Sequence, residues 1–184
     1  MKSRKDRPFV KSADTSSAAV NSRAAVDKML RRYGASAISM SENVEEGEIV
    51  VSFVIPDTAN KGAQKVPVRL PVSIRSVYHV LYEKPTRYKW DAELKKGEHV
   101  YDPKGYDAKK WAQAERVAWR NLVLWIDAAL SAASIGLQTI TEAFFAHAVV
   151  GDGGARMIEV VDSFQRELGA GVQRLLMAPA EEES

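Results

Sequence analysis

Apolar residues near the start of the chain recur at helical spacing and then change to an alternating pattern. Val26, Leu30 and Tyr33 follow the helical period, which predicts a short helix that Ser22 caps and Gly34 ends. The alternation that follows predicts three strands, over 37–44, 48–55 and 66–74. Pro56 is expected to end the second strand. Pro67 and Pro71 cannot donate ladder hydrogen bonds, so the third is predicted to be an edge strand.

The second half of the chain is mainly helical in pattern. A long apolar stripe predicts a helix over 107–134, capped by Asp107. The stripe comprises Trp111, Ala114, Ala118, Leu122, Trp125, Ile126, Ala129 and Ala133. Thr139 and Glu142 have capping-box spacing and open another helix, and 157–168 predicts a last one. Strands followed by helices predict an α+β fold: a small antiparallel three- to four-stranded sheet packed by a long C-terminal helix, with additional helices.

Charge divides the chain of 184 residues into three parts. Residues 1–32 hold nine basic and three acidic residues, whereas 152–184 hold three basic and seven acidic ones, so the net charge of +2 conceals a polarised molecule. We expect a flexible basic arm over 1–20, a single domain over 21–168 with an insert at 76–106, and an acidic tail over 169–184. No secretory signal or membrane span is evident, which predicts a cytoplasmic protein without a membrane partner.

The sequence gives little support for catalysis. The absence of cysteine excludes a disulfide scaffold, a thiol nucleophile and Cys-ligated metals. His79, His99 and His147 lack ligand spacing, and Gly151–Gly154 lacks the Lys-Ser/Thr of a P-loop, which favours a turn. Asp57 near Lys65 only loosely permits a nuclease centre, and the acidic residues at 42–48 fit a solvated hairpin turn. We therefore predict a protein that is not an enzyme, with no catalytic residue, metal or cofactor.

The insert is the most informative stretch. Residues 78–111 hold seven of the fifteen aromatic residues and eight basic ones, although six acidic residues reduce their net charge to +2. Aromatic rings can stack on unpaired bases while Lys and Arg follow the backbone. The predicted nucleic-acid-binding residues are Arg23, Lys28, Arg31, Arg32, Lys84, Arg87, Tyr88, Lys89, Trp90, Tyr101, Tyr106, Lys109 and Lys110. Equally, such aromatics can form a protein interface, or pack a long loop against the body.

Two segments resemble a family of small uncharacterised phage and prophage proteins. One runs from Ser22 through Arg32-Tyr33-Gly34 into a predicted hairpin, and the other from Trp119-Arg120 to His147. The resemblance covers about 20–75 and 107–150 and implies a viral or prophage origin, with a short sheet and a Trp-Arg-bearing helix. It carries no catalytic residues to transfer.

Three functional hypotheses remain. The leading one is a non-enzymatic phage protein that binds nucleic acid, preferably single-stranded DNA, in replication or recombination, with the acidic tail regulating access. The second is a factor that binds a host or phage protein and inhibits or redirects a host enzyme or defence system. The third is an oligomeric phage structural component. We also expect a homo-oligomer, because a small sheet with an exposed edge often dimerises.

Overall fold

The computed structural model describes residues 10–43, 45–57, 64–91, 96–102, 104–151, 154–163 and 166. The elements in chain order are α1 (Ala19–Arg32), β1 (Ser36–Asn43), β2 (Glu48–Asp57), β3 (Gln64–Ser73), α2 (Ile74–Leu81), β4 (Thr86–Asp91), β5 (Lys96–Tyr101), α3 (Ala108–Ser134), α4 (Ile140–Phe144), a 3₁₀ helix (Phe145–His147), β6 (Val149–Val150) and β7 (Ala155–Arg156). Residues 157–163 are also helical. None of the helices in these ranges has the length and apolarity needed to cross a bilayer.

The three predicted strands form an antiparallel sheet in the order β1-β2-β3. Alternate residues of β2 are buried, and Ile49, Val51 and Ile55 are fully so, which confirms the predicted inward face. β3 lies at an edge of the sheet, as its prolines predict, and Val68 forms an isolated bridge to Ala148.

The prediction that Pro56 ends β2 is wrong. Pro56 pairs with Lys65 of β3, and the strand continues to Asp57. β1 stops pairing with β2 at Val54, so the segment beyond it has a strand neighbour on only one side. A residue without an N–H is tolerated in an edge position of this kind.

The long helix α3 covers the sheet, as predicted, and the fold is α+β. Asp107 is its N-cap, because its carboxylate accepts a hydrogen bond from Lys110 N at 2.9 Å. The predicted stripe, however, is too narrow, because Trp119, Val123 and Leu130 are buried as well. α3 packs against α1 in addition to the sheet, so it buries two faces.

The chain enters α1 earlier than its pattern predicts. The helix begins at Ala19, and Ser22 is a buried residue of the second turn rather than the N-cap. Upstream, Nε2 of Gln113 on α3 donates hydrogen bonds to the carbonyls of Ala13 and Thr15, at 2.9 and 3.1 Å. These contacts hold part of the expected flexible arm against the body. Residues 1–9 lie outside the described residues.

The insert contains regular structure that the sequence interpretation missed. The sequence predicts one helical turn or the start of a short helix over 77–81, and α2 occupies Ile74–Leu81 with Ser73 as its N-cap. Where a long polar loop was expected, β4 and β5 form an antiparallel hairpin. Pro85, Gly97 and Gly105 are typical of loops and therefore favoured the prediction of a loop. The alternation of aromatic and basic residues over 86–91 is the strand signal that they obscured.

The C-terminal part combines a confirmed cap with a shorter helix than expected. Thr139 and Glu142 form the predicted capping box, but α4 spans only Ile140–Phe144 before the chain turns into the 3₁₀ helix. β6 and β7 flank the predicted turn at 151–154, of which 152 and 153 lie outside the described residues. The acidic tail at 169–184 lies outside them too.

Candidate nucleic-acid interface

The β4–β5 hairpin presents several aromatic rings on a single face. In its register Tyr88 lies opposite His99, Trp90 opposite Gly97, and Tyr101 at the next paired position of the same side. Directly opposed and alternate residues share a face in an antiparallel pair. Tyr88 is 59% exposed, Trp90 57% and Tyr101 43%. We call Tyr88, Trp90, His99 and Tyr101 the aromatic face.

Glycine at position 97 allows the tip of the Tyr88 ring to lie close to the hairpin backbone. A Cβ atom at Gly97 would overlap the Tyr88 ring and hydroxyl, so any larger residue would displace that ring. Tyr88 also meets the His99 ring edge to face, at 5.5 Å between centroids. One side of Tyr88 is therefore supported by backbone, and the other is open to solvent.

The opposite face of the hairpin is charged. Arg87, Lys89, Lys96 and Glu98 alternate with the aromatic residues, and Lys89 lies directly opposite Glu98. The three cations are exposed, and none forms an ion pair with another described residue. The hairpin thus offers rings on one side and exposed, mainly positive charge on the other.

The base of the hairpin is closed and joined to the body by hydrogen bonds. Asp102 N donates to the Pro85 carbonyl at 2.9 Å. The hydroxyls of Tyr101 and Tyr106 share a hydrogen bond of 2.7 Å, and Tyr106 Oη lies 2.9 Å from Nε2 of His79. Burial, followed by the hydrogen bond with Tyr101, raises the pKa of Tyr106 to about 12. The Tyr106 hydroxyl therefore stays protonated at neutral pH.

Tyr106, one of the predicted binding residues, belongs to a packed aromatic cluster. Its ring centroid lies 4.9 Å from those of both Tyr78 and Trp111. Trp111 in turn fills the space beside Gly47 in the β1–β2 turn, where a Cβ atom would lie 2.6 Å from Trp111 Cη2. Tyr106 therefore connects the hairpin to the body rather than offering an open ring.

Two cations, Arg75 and Lys84, lie beside this cluster. The pKa of His79 is lowered, mainly by burial and then by the charges of Lys84 and Arg75. The ammonium of Lys110 stands 5.7 Å from the Tyr82 ring centroid, in cation–π geometry. Lys109 is exposed in the first turn of α3.

The predicted binding residues of α1 form a separate group. α1 packs on α3 and β1, while β4 and β5 pack on each other. Arg23 forms ion pairs with Glu42 and Glu115 and lies 5.1 Å from the Trp119 ring centroid, so its charge is engaged within the fold.

On the exposed side of α1, Arg31 pairs with Asp27 at 2.8 Å, and this hydrogen bond lowers the pKa of the Asp27 carboxyl. Lys28 and Arg32 are exposed. The structure does not bring the α1 group together with the hairpin group.

Three residues of the candidate site are absent from the nucleic-acid-binding residues predicted from the sequence: Arg75, His79 and His99. Arg75 and His79 are four residues apart, and a helix places such positions side by side. His99 joins the aromatic face only through the pairing of β4 with β5, which depends on recognising the hairpin.

A second concave region lies between β3, α2 and α3. It is an apolar pocket of about 220 Å³ whose lining includes Leu70, Val77, Trp125 and His147. The His147 and Trp125 rings meet edge to face at 5.4 Å, and burial, with a smaller effect of Arg156, lowers the pKa of His147. The pocket is separate from the aromatic face.

The remaining sequence candidates have structural roles. Asp57 is buried and accepts hydrogen bonds from Thr141, at 2.5 Å from the hydroxyl and 3.2 Å from the backbone N–H. Glu42, which was assigned to a solvated acidic turn, instead accepts a hydrogen bond from Trp119 Nε1 at 3.0 Å. Across the described ranges, no three His, Asp or Glu side chains assemble into a possible metal site.

Comparison of the chain with protein-family models, with curated proteins and with solved structures gives no significant match.

Proposed function

We propose that the protein binds single-stranded nucleic acid through the aromatic face of the β4–β5 hairpin. One observation carries the proposal: Tyr88, Trp90 and Tyr101 hold large, exposed rings on one side of a two-stranded hairpin. A ring exposed in this way is accessible to an unpaired base, and stacking contributes about 1–3 kcal/mol per base.

The spacing of the rings favours an unpaired strand. Alternate residues on a strand are about 6.6–6.8 Å apart, which is close to twice the 3.4 Å separation of stacked bases. Bases that stack on Tyr88 and on Trp90 must therefore be pulled apart from each other. A single strand accepts this separation at lower cost than a duplex, whose paired and stacked bases must be unstacked at a few kcal/mol per step, so single strands are the expected ligand.

Positive charge on the other face and at the base of the hairpin supports binding to the phosphate backbone. Lys84, Arg87, Lys89, Lys96 and Lys104 are exposed, and none forms an ion pair within the described ranges. Neutralising phosphates with such side chains releases counterions and makes the affinity salt-dependent.

The same proposal includes the biological setting. We assign the binding activity to phage DNA replication or recombination in the host cytoplasm, on the basis of the resemblance to phage and prophage proteins. In this proposal the protein needs no cofactor and performs no chemical step.

Fluorescence anisotropy with labelled dT12 and with a duplex of equal length tests the proposal. We expect single-strand binding with a Kd in the micromolar range or tighter at 50 mM salt, and weaker duplex binding. Trp90→Ala combined with Tyr88→Ala should weaken binding at least tenfold, since two stacking contacts are lost. Phe145→Ala is the matched control, because Phe145 is 49% exposed but lies on the 3₁₀ helix. Absence of dT12 binding by the native chain would reject the function.

A protein partner is the second candidate for the same surface. Tyr, Trp and Arg are enriched at protein interfaces, and Glu98 opposite Lys89 reduces the positive charge of the hairpin. If this candidate is right, the chain binds no oligonucleotide. A pull-down from a host or phage lysate should then recover one protein in stoichiometric amount. That protein should be lost with Trp90→Ala and retained with Phe145→Ala.

A further inference from the structure

The pocket between β3, α2 and α3 combines an apolar interior with polar groups nearer to solvent. Three of its lining residues, Leu70, Ala118 and Leu122, are buried aliphatic side chains. The two polar lining residues, Asn121 and His147, are only half-buried. A ligand can therefore bury an apolar body here while its polar atoms stay close to the opening.

We infer that this pocket binds a neutral, planar heteroaromatic molecule whose edge carries a hydrogen-bond donor beside an acceptor, which is the chemistry of a nucleobase. The ring lies against the apolar walls, and its edge meets the side-chain amide of Asn121. The inference is independent of the proposed function, because no residue of the aromatic face lines the pocket.

Asn121 provides the specific polar contact. Its side-chain amide forms no hydrogen bond with another described residue, and neither of the two amide atoms is enclosed. The amide therefore has both a donor and an acceptor available. An asparagine amide makes a paired contact with an adjacent donor and acceptor, as it does with the edge of adenine.

Trp125 provides a flat surface beside this amide. It lies one turn after Asn121 on α3, so the two side chains share a face of the helix, and both line the pocket. Its side chain is 39% exposed, and its ring meets those of Phe144 and His147 edge to face, at 5.5 and 5.4 Å between centroids. A planar ring makes a larger contact with an indole than a branched aliphatic group does.

The lining of the pocket is uncharged. It contains no Lys, Arg, Asp or Glu, and burial lowers the pKa of His147, so this imidazole is neutral at pH 7. Arg156, whose charge has a smaller effect on the same pKa, is paired with Glu159 at 2.8 Å. A charged ligand would lose hydration in the pocket without gaining a partner, so the ligand is neutral and any phosphate attached to it stays outside.

The volume of the pocket limits the size of the ligand. At about 220 Å³ it is smaller than the roughly 300–1,000 Å³ of sites for drug-sized molecules. A body of one or two fused rings is therefore the expected occupant.

Titration of the full chain with adenosine, followed by two-dimensional amide NMR, tests the site. We expect the Asn121 side-chain amide and the Trp125 indole N–H signals to shift, with a Kd of about 0.1–1 mM. Asn121→Ala should weaken adenosine binding about tenfold, since the paired contact is lost. Dimethyladenosine, whose exocyclic amino group carries no hydrogen, should bind the native chain about as weakly as adenosine binds Asn121→Ala.

Asp127→Ala is the matched control, because Asp127 is exposed on α3 and does not line the pocket. Asn121→Ala removes no internal hydrogen bond and favours the helix, so it should stay folded. Val77→Phe, which adds bulk to the pocket wall, should abolish the shifts.

Three outcomes would overturn the inference: no shift of either signal at adenosine concentrations well above this range, native affinity in Asn121→Ala, or shifts confined to the β4–β5 hairpin. Titration with dA12 identifies the source of the base. A loss of affinity for both dA12 and adenosine in Asn121→Ala assigns the pocket to bases of a strand, and a loss for adenosine alone assigns it to a free nucleoside. If dT12 binding is absent while adenosine still shifts the pocket signals, only the proposed function fails.

Discussion

A single buried indole shows how one residue can bring distant parts of this chain together. Trp119 is fully buried on α3, and its N–H finds an acceptor in Glu42 at the end of β1, 77 positions earlier. Arg23 of α1 pairs with the same carboxylate and stacks on the same indole. The Glu42 carboxylate at the end of β1 therefore joins that strand to α1 and α3.

We expect Glu42→Ala to lower the free energy of unfolding by about 1–3 kcal/mol, because it leaves the buried Trp119 N–H without an acceptor. Glu42→Gln keeps a carbonyl oxygen in that place and should cost clearly less. Urea denaturation of the two variants measures the difference. Equal stability of Glu42→Ala and the native chain would contradict the structural role given to this residue.

Elements with a strong internal pattern could be predicted from the sequence, whereas those defined by pairing could not. The inward residues of β2, the capping box of α4 and the Asp107 cap of α3 follow from local chemistry. The β4–β5 hairpin exposes its rings and buries little, so its alternation of aromatic and basic residues over 86–91 differs from the apolar alternation of a core strand. The second buried face of α3 depends on α1, which a stripe within one helix cannot reveal.

The candidate site shows the same division. Composition alone identifies Tyr88, Trp90 and Tyr101 as a cluster, but only the register places them on one face. Arg23 and Tyr106, which composition groups with them, are engaged in internal contacts. Charge counts cannot distinguish an ion-paired arginine from a free one, because that depends on which elements meet.

At the scale of the hairpin, Gly97→Ala should weaken dT12 binding about three- to tenfold, because the new methyl group displaces the Tyr88 ring. The thermal midpoint should change little, since the hairpin lies outside the main core. Thr86→Ala, at the base of the same hairpin, is the control and should bind normally. Native affinity in Gly97→Ala would show that the Tyr88 ring does not contribute as placed.

At the scale of the whole molecule, the three-stranded sheet has an open edge at β1. The opposite edge, β3, forms the bridge to Ala148. β1 pairs only with β2 among the described strands, and its register shifts between Ser36 and Ser39, where Ala37 has a φ of 50°. That irregularity disrupts the start of the edge and leaves 39–43 regular. An exposed regular edge offers unpaired N–H and C=O groups to a second copy.

We therefore expect light scattering to give a mass about twice the 20.3 kDa of one chain at micromolar concentration, since closed twofold dimers are the commonest assembly. Ser41→Lys places an additional charge on the exposed strand and should shift the equilibrium towards the monomer. A native mass of one chain across the concentration range would exclude pairing through β1.

The hydrogen bond from Asp102 N to the Pro85 carbonyl brings the two ends of the hairpin together, which affects how the sequence of this segment can evolve. Because the chain enters and leaves the hairpin at nearly the same point, a change in the length of the hairpin between these two residues leaves the end of α2 and the start of α3 where they are. A chain with the same sheet and long helix could therefore carry a different segment here, suited to a different ligand. Divergence within such a lineage should be concentrated between these two residues, and the body should change more slowly.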